Sequence, residues 1–362
     1  MKSIILLIIL FFLILACTDE KIVTVEVMKE NSWQEEKGFR DIKKVTLSTG
    51  CYENTLYFQH PKHHTEIENG KISQFAWLDM PNSIDFALPF YQGLVTSPVY
   101  LIHNDPTLIV SNLKASYSRD GYLRVNLLEI DSLFRKVLNP ILGKWMAIND
   151  KKQILFQYEQ NIVKNKTLML LDISTAYNDN APYNAPHEIS LLKSKTITID
   201  SFFLGWPDPY YIRSFDDYFF IQWAHSNFYK IYSDGSYKRI PNVQNTYSLF
   251  KYKGNLYAYS YFELYISRDQ GETWRLFAEL NDFSKQIEFY NINDSLVYSH
   301  RDALYTVNFE SNFINSRELK NDGLEDRFIT GIEVLNDTVY IATYSGVFKK
   351  SIYKFFESKI NN

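Results

Sequence analysis

The chain has 362 residues and a formal net charge of −4. This acidic balance, without clustered lysines and arginines, excludes the basic surface that nucleic-acid binding needs, so no nucleic-acid partner is predicted. The sequence contains 27 tyrosines, 26 phenylalanines and 13 glycines. Aromatic side chains suit half-buried pleated surfaces, and this composition favours strands over helices.

The start of the chain indicates an export signal. Lys2 precedes an uninterrupted apolar run over residues 4–16. Such a run would form a helix of about 20 Å, which is shorter than the roughly 30 Å hydrocarbon core of a bilayer. A cleaved signal over residues 1–16 is therefore favoured over a permanent membrane span.

The end of the apolar run, Ile14-Leu15-Ala16-Cys17, resembles the lipobox of bacterial lipoproteins. The resemblance implies that Cys17 is lipidated after cleavage and that residues 17–25 form the lipidated N-terminus and a tether. Acyl chains on Cys17 would hold the protein at a membrane surface, which predicts a cell-envelope location on the outer membrane, facing the periplasm or the exterior. The alternative is an ordinary signal peptide in which Cys17 is incidental.

Seven segments repeat a pattern of two strand-like runs around a short turn. They begin at Asn54, Thr107, Gln153, Tyr218, Asn255, Ser295 and Thr338, with a loose register in the first. In the last three, the aligned residues Tyr257, Tyr298 and Tyr340 are 41 and 42 residues apart. A unit of about 40 residues with about four short strands is typical of a propeller blade.

We therefore predict an all-β fold, a β-propeller of six or seven four-stranded blades, over residues 26–362. Residues 22–100 fit the repeat poorly. This region is expected to contain a short N-terminal cap or a closing strand.

The stretch SRDQGETW at residues 267–274 follows the form S-x-D-x-G-x-T-W. It resembles the Asp box, or BNR repeat, of sialidase-like β-propellers. The resemblance implies a turn between the third and fourth strands of a blade, with structural roles for Ser267, Asp269, Gly271, Thr273 and Trp274. The carboxylate can accept backbone N–H bonds, the glycine can adopt positive φ, and the tryptophan can pack between blades.

The tripeptide Arg239-Ile240-Pro241 resembles the element that supplies one carboxylate-binding arginine in sialidases. Only about three blades of chain follow it, at about 40 residues a blade. The other arginines and the nucleophilic tyrosine of those enzymes have no motif here. A strand end followed by a turn proline is the favoured interpretation.

Two further features bear on cofactors. The cluster of His60, His63, His64 and Glu66 has residue types that bind zinc, but its spacing in a hairpin loop is not the helical spacing of zinc enzymes, so no metal is predicted. The sequence has no phosphate-binding loop and no nucleophile elbow, and no cofactor is predicted. Cys51 is interpreted as a small buried hydrophobe.

The turns between second and third strands should share the face opposite the Asp-box turn, because antiparallel strands alternate in direction. They carry Trp223, His225, Tyr261, Glu263, His300, Arg301, Asp302 and Tyr344. Aromatic rings mixed with arginine and carboxylates suit a sugar- or anion-binding surface, and binding residues concentrate on loops. Ordinary polar turns are the competing interpretation.

Three triplets, Asp131-Ser132-Leu133, Asp294-Ser295-Leu296 and Asp337-Thr338-Val339, resemble O-glycosylation acceptor sites of Bacteroidetes-type bacteria. The resemblance gives information about the host and the cellular compartment. The same triplets also fit strands that start after turns.

The sequence favours a non-catalytic module that binds a glycan or a protein partner at the cell envelope. One alternative is a glycoside hydrolase of the sialidase-like class, with Glu263 and Asp302 as the acid/base carboxylates. Another is a protein assembly factor, by analogy with Asp-box propellers that aid the assembly of other proteins. No catalytic residue is assigned.

Overall fold

The structure is a computed structural model that describes residues 32–39, 45–52, 54–60, 63–76, 99–104, 106–112, 122–137, 146–160, 166–176, 188–199, 209–223, 227–244, 246–260, 263–279, 287–310 and 313–359. The predicted signal, Cys17 and the tether lie outside these residues. Within the described ranges, no helix has the length and apolar character needed to cross a membrane.

The described strands form seven antiparallel sheets, which we number as blades. Strand β1 (Gln34–Glu35) and a 3-10 helix (Lys37–Phe39) come before blade 1. Blade 1 contains β2 (Ser48–Tyr52), β3 (Thr55–Gln59), β4 (His63–Glu68) and β5 (Lys71–Ala76). Blade 2 contains β6 (Val99–Asn104), β7 (Thr107–Asn112) and β8 (Tyr122–Asn126), and helix α1 (Leu127–Ile130) follows. Blade 3 contains β9 (Phe134–Val137), β10 (Met146–Ile148), β11 (Gln153–Gln160), β12 (Lys166–Ala176) and β13 (Glu188–Ile199).

The second half of the chain is more regular. Blade 4 contains β14 (Pro209–Phe215), β15 (Tyr218–Trp223), β16 (Asn227–Ile231) and β17 (Tyr237–Gln244). Blade 5 contains β18 (Ser248–Tyr252), β19 (Asn255–Tyr259), β20 (Glu263–Ser267) and β21 (Arg275–Glu279). Blade 6 contains β22 (Ile287–Ile292), β23 (Ser295–His300), β24 (Ala303–Glu310) and β25 (Phe313–Glu318). Blade 7 contains β26 (Ile329–Leu335), β27 (Thr338–Thr343) and β28 (Gly346–Ser351), and helix α2 (Ile352–Phe355) follows.

The sheets are arranged as a β-propeller. First strands of neighbouring blades contact one another: β2 with β26, β10 with β14, β18 with β22, and β22 with β26. Six sheets have at least four strands, and blade 2 has three in the described residues. The predicted all-β propeller of six or seven blades is confirmed.

Blade 7 takes its outer strand from the beginning of the described chain. In β1, Gln34 pairs with Lys349 and Glu35 with Phe348 of β28. Just before β1, the backbone N–H and the hydroxyl of Ser32 donate to the Asp322 carboxylate at 2.7 and 2.6 Å. Of the two alternatives for residues 22–100, a short cap or a closing strand, residues 34–35 form a closing strand, while residues 48–76 form blade 1.

The hydrophobic core consists of layers between neighbouring blades. Second strands supply much of it, and every residue of β3 and β15 is buried. Between blades 4 and 5, for example, Phe220 stacks on Phe228 with centroids 5.0 Å apart, and Trp274 meets both rings edge-on. The aromatic-rich composition thus serves the faces that join one blade to the next.

The two ends of the propeller differ in their connections. First and second strands are joined by tight turns such as 253–254 and 293–294, where both residues have positive φ, as type I′ hairpins require. The opposite end carries the turns between second and third strands together with the connections between blades. We call this end the lower face. One of its connections, 319–328, is ten residues long.

Candidate functional site

The turn 267–274 lies between the third and fourth strands of blade 5 and is held by its own side chains. Asp269 accepts hydrogen bonds from the Ser267 hydroxyl at 2.8 Å, the Thr273 backbone N–H at 2.9 Å and the Thr273 hydroxyl at 2.5 Å. The Trp274 indole N–H donates to the Gly271 carbonyl at 3.1 Å. Burial opposes ionisation of Asp269, but the bonds from Thr273 and Ser267 outweigh it and lower its pKa to about 2.

This turn also docks on blade 4. The Lys230 ammonium, whose side chain is only 4% exposed, lies 2.6 Å from Glu272 Oε1 and donates to the Gln270 carbonyl at 2.8 Å. It also lies 4.0 Å above the Tyr218 ring. The polar residues of the turn are therefore engaged in holding two blades together, which is a structural role.

The lower face brings blades 6 and 7 into contact through the connection 319–328. The Ile329 N–H donates to the Arg301 carbonyl at 3.0 Å, and the Asp326 N–H donates to the Asp302 carboxylate at 3.0 Å. Arg301 and Asp326 both have positive φ, at 57° and 59°. Two predicted residues of blade 6 are thereby placed beside the entrance to blade 7.

An exposed aromatic pair lies at the same place. The rings of Phe328 and Tyr344 stack with centroids 5.2 Å apart and planes inclined by 14°. They are 41% and 47% exposed, and the Tyr344 N–H donates to the Phe328 carbonyl at 3.3 Å. Tyr344 was predicted from the sequence, whereas Phe328 was missed.

Blade 1 adds a third apolar side chain. The Thr46 N–H donates to the Thr343 carbonyl at 3.1 Å, so the neighbouring residues Val45 and Tyr344 lie close together. Val45 is 38% exposed. The main chain before blade 1 therefore lies beside the Tyr344 turn of blade 7.

Arg327 is oriented within this surface. Its Nη1 donates to the Ser345 hydroxyl at 3.0 Å, and its guanidinium carbon lies 4.5 Å from the centre of the Phe348 ring. Neither Arg327 nor Arg301 forms an ion pair with a carboxylate among the described residues. We call the set Val45, Arg301, Arg327, Phe328 and Tyr344 the lower-face patch.

Other predicted residues of this face behave differently. The expectation that Trp223 is exposed is wrong: its ring is fully buried and its Nε1 donates to Gln157 Oε1 at 2.7 Å. Glu263, in blade 5, accepts a hydrogen bond from the Tyr265 hydroxyl. His225 and Tyr261 lie outside the described residues.

His300 is half-buried beside the patch. Burial and the neighbouring Arg301 charge both lower its pKa, while Asp302 has a smaller opposing effect. A neutral imidazole is thereby favoured at neutral pH.

The other motifs occupy structural positions. Arg239 lies on the outer strand β17 and is exposed, where a following Pro241 is tolerated because an edge strand needs no full ladder. His60 Nε2 lies 3.0 Å from the Thr65 hydroxyl, and buried His64 lies 3.1 Å from Glu66. Among described residues, no group of three or more histidines, cysteines and carboxylates is placed to hold a metal ion.

A second polar cluster lies on the inner strands. Arg213 Nη2 is 3.6 Å from Glu288 Oε2, and the Ser248 hydroxyl donates to the same oxygen at 3.3 Å. Arg213 also donates to the Leu249 carbonyl. Because these groups satisfy one another across blades 4, 5 and 6, they join the inner strands and do not form a free site.

Val45, Arg327 and Phe328 were missed because the sequence reasoning considered only turns between second and third strands. These three residues precede first strands, in connections between blades. The alternation of antiparallel strands that placed the turns also places those connections on the same face. Applying it to both sets would have found them.

No protein-family model matches the chain, and no curated protein matches it. Among solved structures, a catalytically inactive virginiamycin B lyase from Staphylococcus aureus, with quinupristin, is 10% identical with a TM-score of 0.53, over 88% of this chain and 98% of that one. The extracellular domain of the hybrid two component system BT4673 from B. thetaiotaomicron is 12% identical with a TM-score of 0.52; the match covers 88% of this chain but 40% of that one. The Pan2 WD40 domain from Neurospora crassa is 7% identical with a TM-score of 0.51, over 89% and 95%. At these identities the likenesses establish the β-propeller fold alone.

Proposed function

We propose that the protein is a non-catalytic binding propeller that engages a glycan or protein partner through its lower face. The observation that carries this proposal is the pair of stacked rings in the lower-face patch, Phe328 and Tyr344, which are 41% and 47% exposed. Continuous exposed apolar surface is costly in water and commonly marks an interaction site. Scattered exposed residues, such as Tyr237 on an outer strand, need no such explanation.

The connections support the choice of face. The connection 319–328 and the turns between second and third strands lie on the lower face, which also carries the stacked rings of Phe328 and Tyr344. Long or varied loops on a rigid scaffold are where proteins place binding residues. Trp223 is buried and is not part of the proposal, which keeps Arg301, Asp302 and Tyr344 as candidate contacts.

The hydrogen bonds of Glu263 and Asp302 favour a binding role for the protein over a hydrolytic one. A glycoside hydrolase needs two carboxyl groups facing a common space about 5 to 10 Å wide. Glu263 is hydrogen-bonded to Tyr265 within blade 5, and Asp302 caps a backbone N–H in the next connection. Both groups therefore have local structural partners.

The proposal includes lipid attachment through Cys17 at the cell envelope. The lipobox-like sequence supports it, and the tether would allow the propeller to reach partners near the membrane. Membership of the sialidase-like Asp-box propellers is part of the same proposal and rests on residues 267–274.

Site-specific photo-crosslinking tests the proposal. A photoreactive phenylalanine analogue is placed at Tyr344 in the full chain, in its own cells, and compared with the same analogue at Tyr237, which is similarly exposed. A discrete adduct from position 344 alone is the expected result. Equal adducts from both positions, or none from position 344, would contradict binding through this face.

A glycan array separates the two kinds of partner. Full-length protein in detergent is applied beside the Tyr344→Ala variant. Binding by the wild type that is lost in the variant would identify a glycan ligand, because a sugar stacked on the ring needs the aromatic face. A blank array with a protein adduct in the crosslinking experiment would identify a protein partner.

A further inference from the structure

The connection 319–328, which ends in Phe328, is held in its middle by the residues that lead into the closing strand β1. The Ser32 backbone N–H and hydroxyl donate to the two carboxylate oxygens of Asp322 at 2.7 and 2.6 Å. The Trp33 N–H donates to the Asp322 carbonyl at 3.1 Å. The start of the described chain is thereby fastened to the segment that carries one ring of the aromatic pair.

A second route joins β1 to the lower-face patch through strand β28. Glu35 pairs with Phe348 of β28, and the guanidinium carbon of Arg327 lies 4.5 Å from the centre of the Phe348 ring. The same guanidinium donates to the hydroxyl of Ser345, which follows Tyr344 in the chain. Strand β1 is therefore connected through β28 to the turn that carries the second ring.

A buried cluster links the two routes. It includes Trp33, Leu324, Ile329 and Phe348, and Leu324 is fully buried. The Arg327 N–H donates to the Leu324 carbonyl at 3.1 Å. Because closely packed interiors transmit displacements, removal of the Trp33 ring from this cluster would loosen the segment that leads to the aromatic pair.

Strand β1 is short enough to detach without unfolding of the propeller. It pairs with β28 through Gln34 and Glu35, and the Glu36 N–H adds one bond to the Val347 carbonyl at 2.8 Å. Edge segments with few hydrogen bonds open at a small part of the free energy that global unfolding requires. Blade 7 would keep β26, β27 and β28 after such an opening.

We propose that the closing strand controls the lower-face patch: the rings of Phe328 and Tyr344 keep their stacked arrangement while β1 is in place and lose it when β1 detaches. This inference rests on the proposed binding function and adds a means of regulating it. Because coupling between two sites is reciprocal, a partner bound at the aromatic pair would also hold β1 in place.

Amide hydrogen exchange of the full-length protein in detergent tests this coupling without any partner. Ser32→Ala removes the hydroxyl that binds Asp322, and Ser32→Thr retains a hydroxyl at that position. Ser236→Ala is the matched control. The Ser236 hydroxyl donates to Asp234 at 2.6 Å in a turn of blade 4, so the control loses the same kind of bond away from β1.

The exchange rates of two amides provide the readout. The Tyr344 N–H, which donates to the Phe328 carbonyl, reports on the lower-face patch, and the Tyr247 N–H, hydrogen-bonded within blade 5, reports on the remaining propeller. Ser32→Ala should accelerate exchange at Tyr344 about fivefold and leave the rate at Tyr247 unchanged. Ser32→Thr and Ser236→Ala should exchange at the wild-type rate at both amides.

An unchanged rate at Tyr344 in Ser32→Ala would overturn the inference, because the closing strand would then open independently of the patch. Equal acceleration at Tyr247 would show a general loss of stability and would overturn it too.

The crosslinking experiment separates the inference from the proposed function. The yield of adduct from position 344 should fall in Ser32→Ala and persist in Ser236→Ala. An adduct whose yield is the same in Ser32→Ala would contradict the coupling and leave the proposed function standing. A missing adduct at position 344 in the chain without other changes counts against the function itself, whereas the exchange rates still decide the coupling.

Discussion

Phe220 in blade 4 packs against Gly271 in blade 5 so closely that a β-carbon at position 271 would lie 2.2 Å from Phe220 Cζ. Gly271 also has a φ of +85°. Gly271→Ala should therefore lower the free energy of unfolding by about 2 to 4 kcal/mol, from the strained backbone together with overpacking of the interblade layer. Urea denaturation measures the change.

Gly254→Ala is the matched control for that substitution. Its φ is +77°, but nothing lies within 4 Å of the added carbon. Only the backbone cost of about 1 kcal/mol is expected. Equal losses in the two variants would show that contact with Phe220 adds nothing.

The ion pair between Lys230 and Glu272 should contribute more to stability than a surface pair. Glu272→Gln leaves a nearly buried ammonium without its carboxylate, also breaks the 3.1 Å pair with the exposed Lys238, and should cost about 2 kcal/mol. Asp216→Asn breaks the Lys251 pair, whose N–O distance is 2.8 Å and whose side chains are both 43% exposed, and should cost less than about 1 kcal/mol. Thermal and urea unfolding of both variants provide the comparison, and a larger loss from Asp216→Asn would contradict it.

Acid should weaken the blade 5 turn through Asp269. Its pKa is about 2 in the folded protein, below the value near 3.9 of an unfolded aspartate. A depressed folded pKa stabilises the protein above the unfolded pKa, and this contribution is lost as the pH falls from about 4 to about 2. Asp269→Asn should flatten the fall in unfolding free energy in that window. A slope unchanged from the wild type would show that Asp269 titrates normally.

Asp322 should hold the closing strand in place. Asp322→Ala removes the acceptor of two Ser32 donors and should cost about 1.5 to 3 kcal/mol. Hydrogen exchange should accelerate at the Glu36 amide, which donates to the Val347 carbonyl at 2.8 Å. Asp337→Ala, which loses only a bond from the exposed Tyr353 hydroxyl, is the control, and protection at Glu36 should persist there.

The repeat was predictable because a tyrosine recurs in the second strand of blades 5, 6 and 7 at an almost constant spacing. Tyr257 and Tyr298 lie in second strands, as their spacing indicated. The turn 267–274 could be predicted from the sequence because the hydrogen bonds among Ser267, Asp269, Gly271, Thr273 and Trp274 form within eight consecutive residues. Features that depend on neighbours in sequence were thus accessible.

The site was less predictable because its residues come from separate parts of the chain. The sequence does not show that the Phe328 ring stacks on Tyr344. Nor does it show that a hydrogen bond between Thr46 and Thr343 brings the main chain at Val45 close to Tyr344. The prediction that Trp223 lies on the binding face was wrong because a tryptophan at a strand end fits either an exposed turn or an interblade layer. Only the packing of Trp223 against blade 3 decides between the two.

The pairing of Glu35 with Phe348 joins positions 313 residues apart, as the difference between 348 and 35 gives. In an open array of repeats, the end units contact one neighbour and fray first. Blade 7 is not such an end, because it contacts blade 6, lies against blade 1 and takes its outer strand from near the beginning of the described chain. We expect the propeller to melt as a single cooperative unit, and its closure to be the slow step of folding, since the chain between the paired strands must be ordered first.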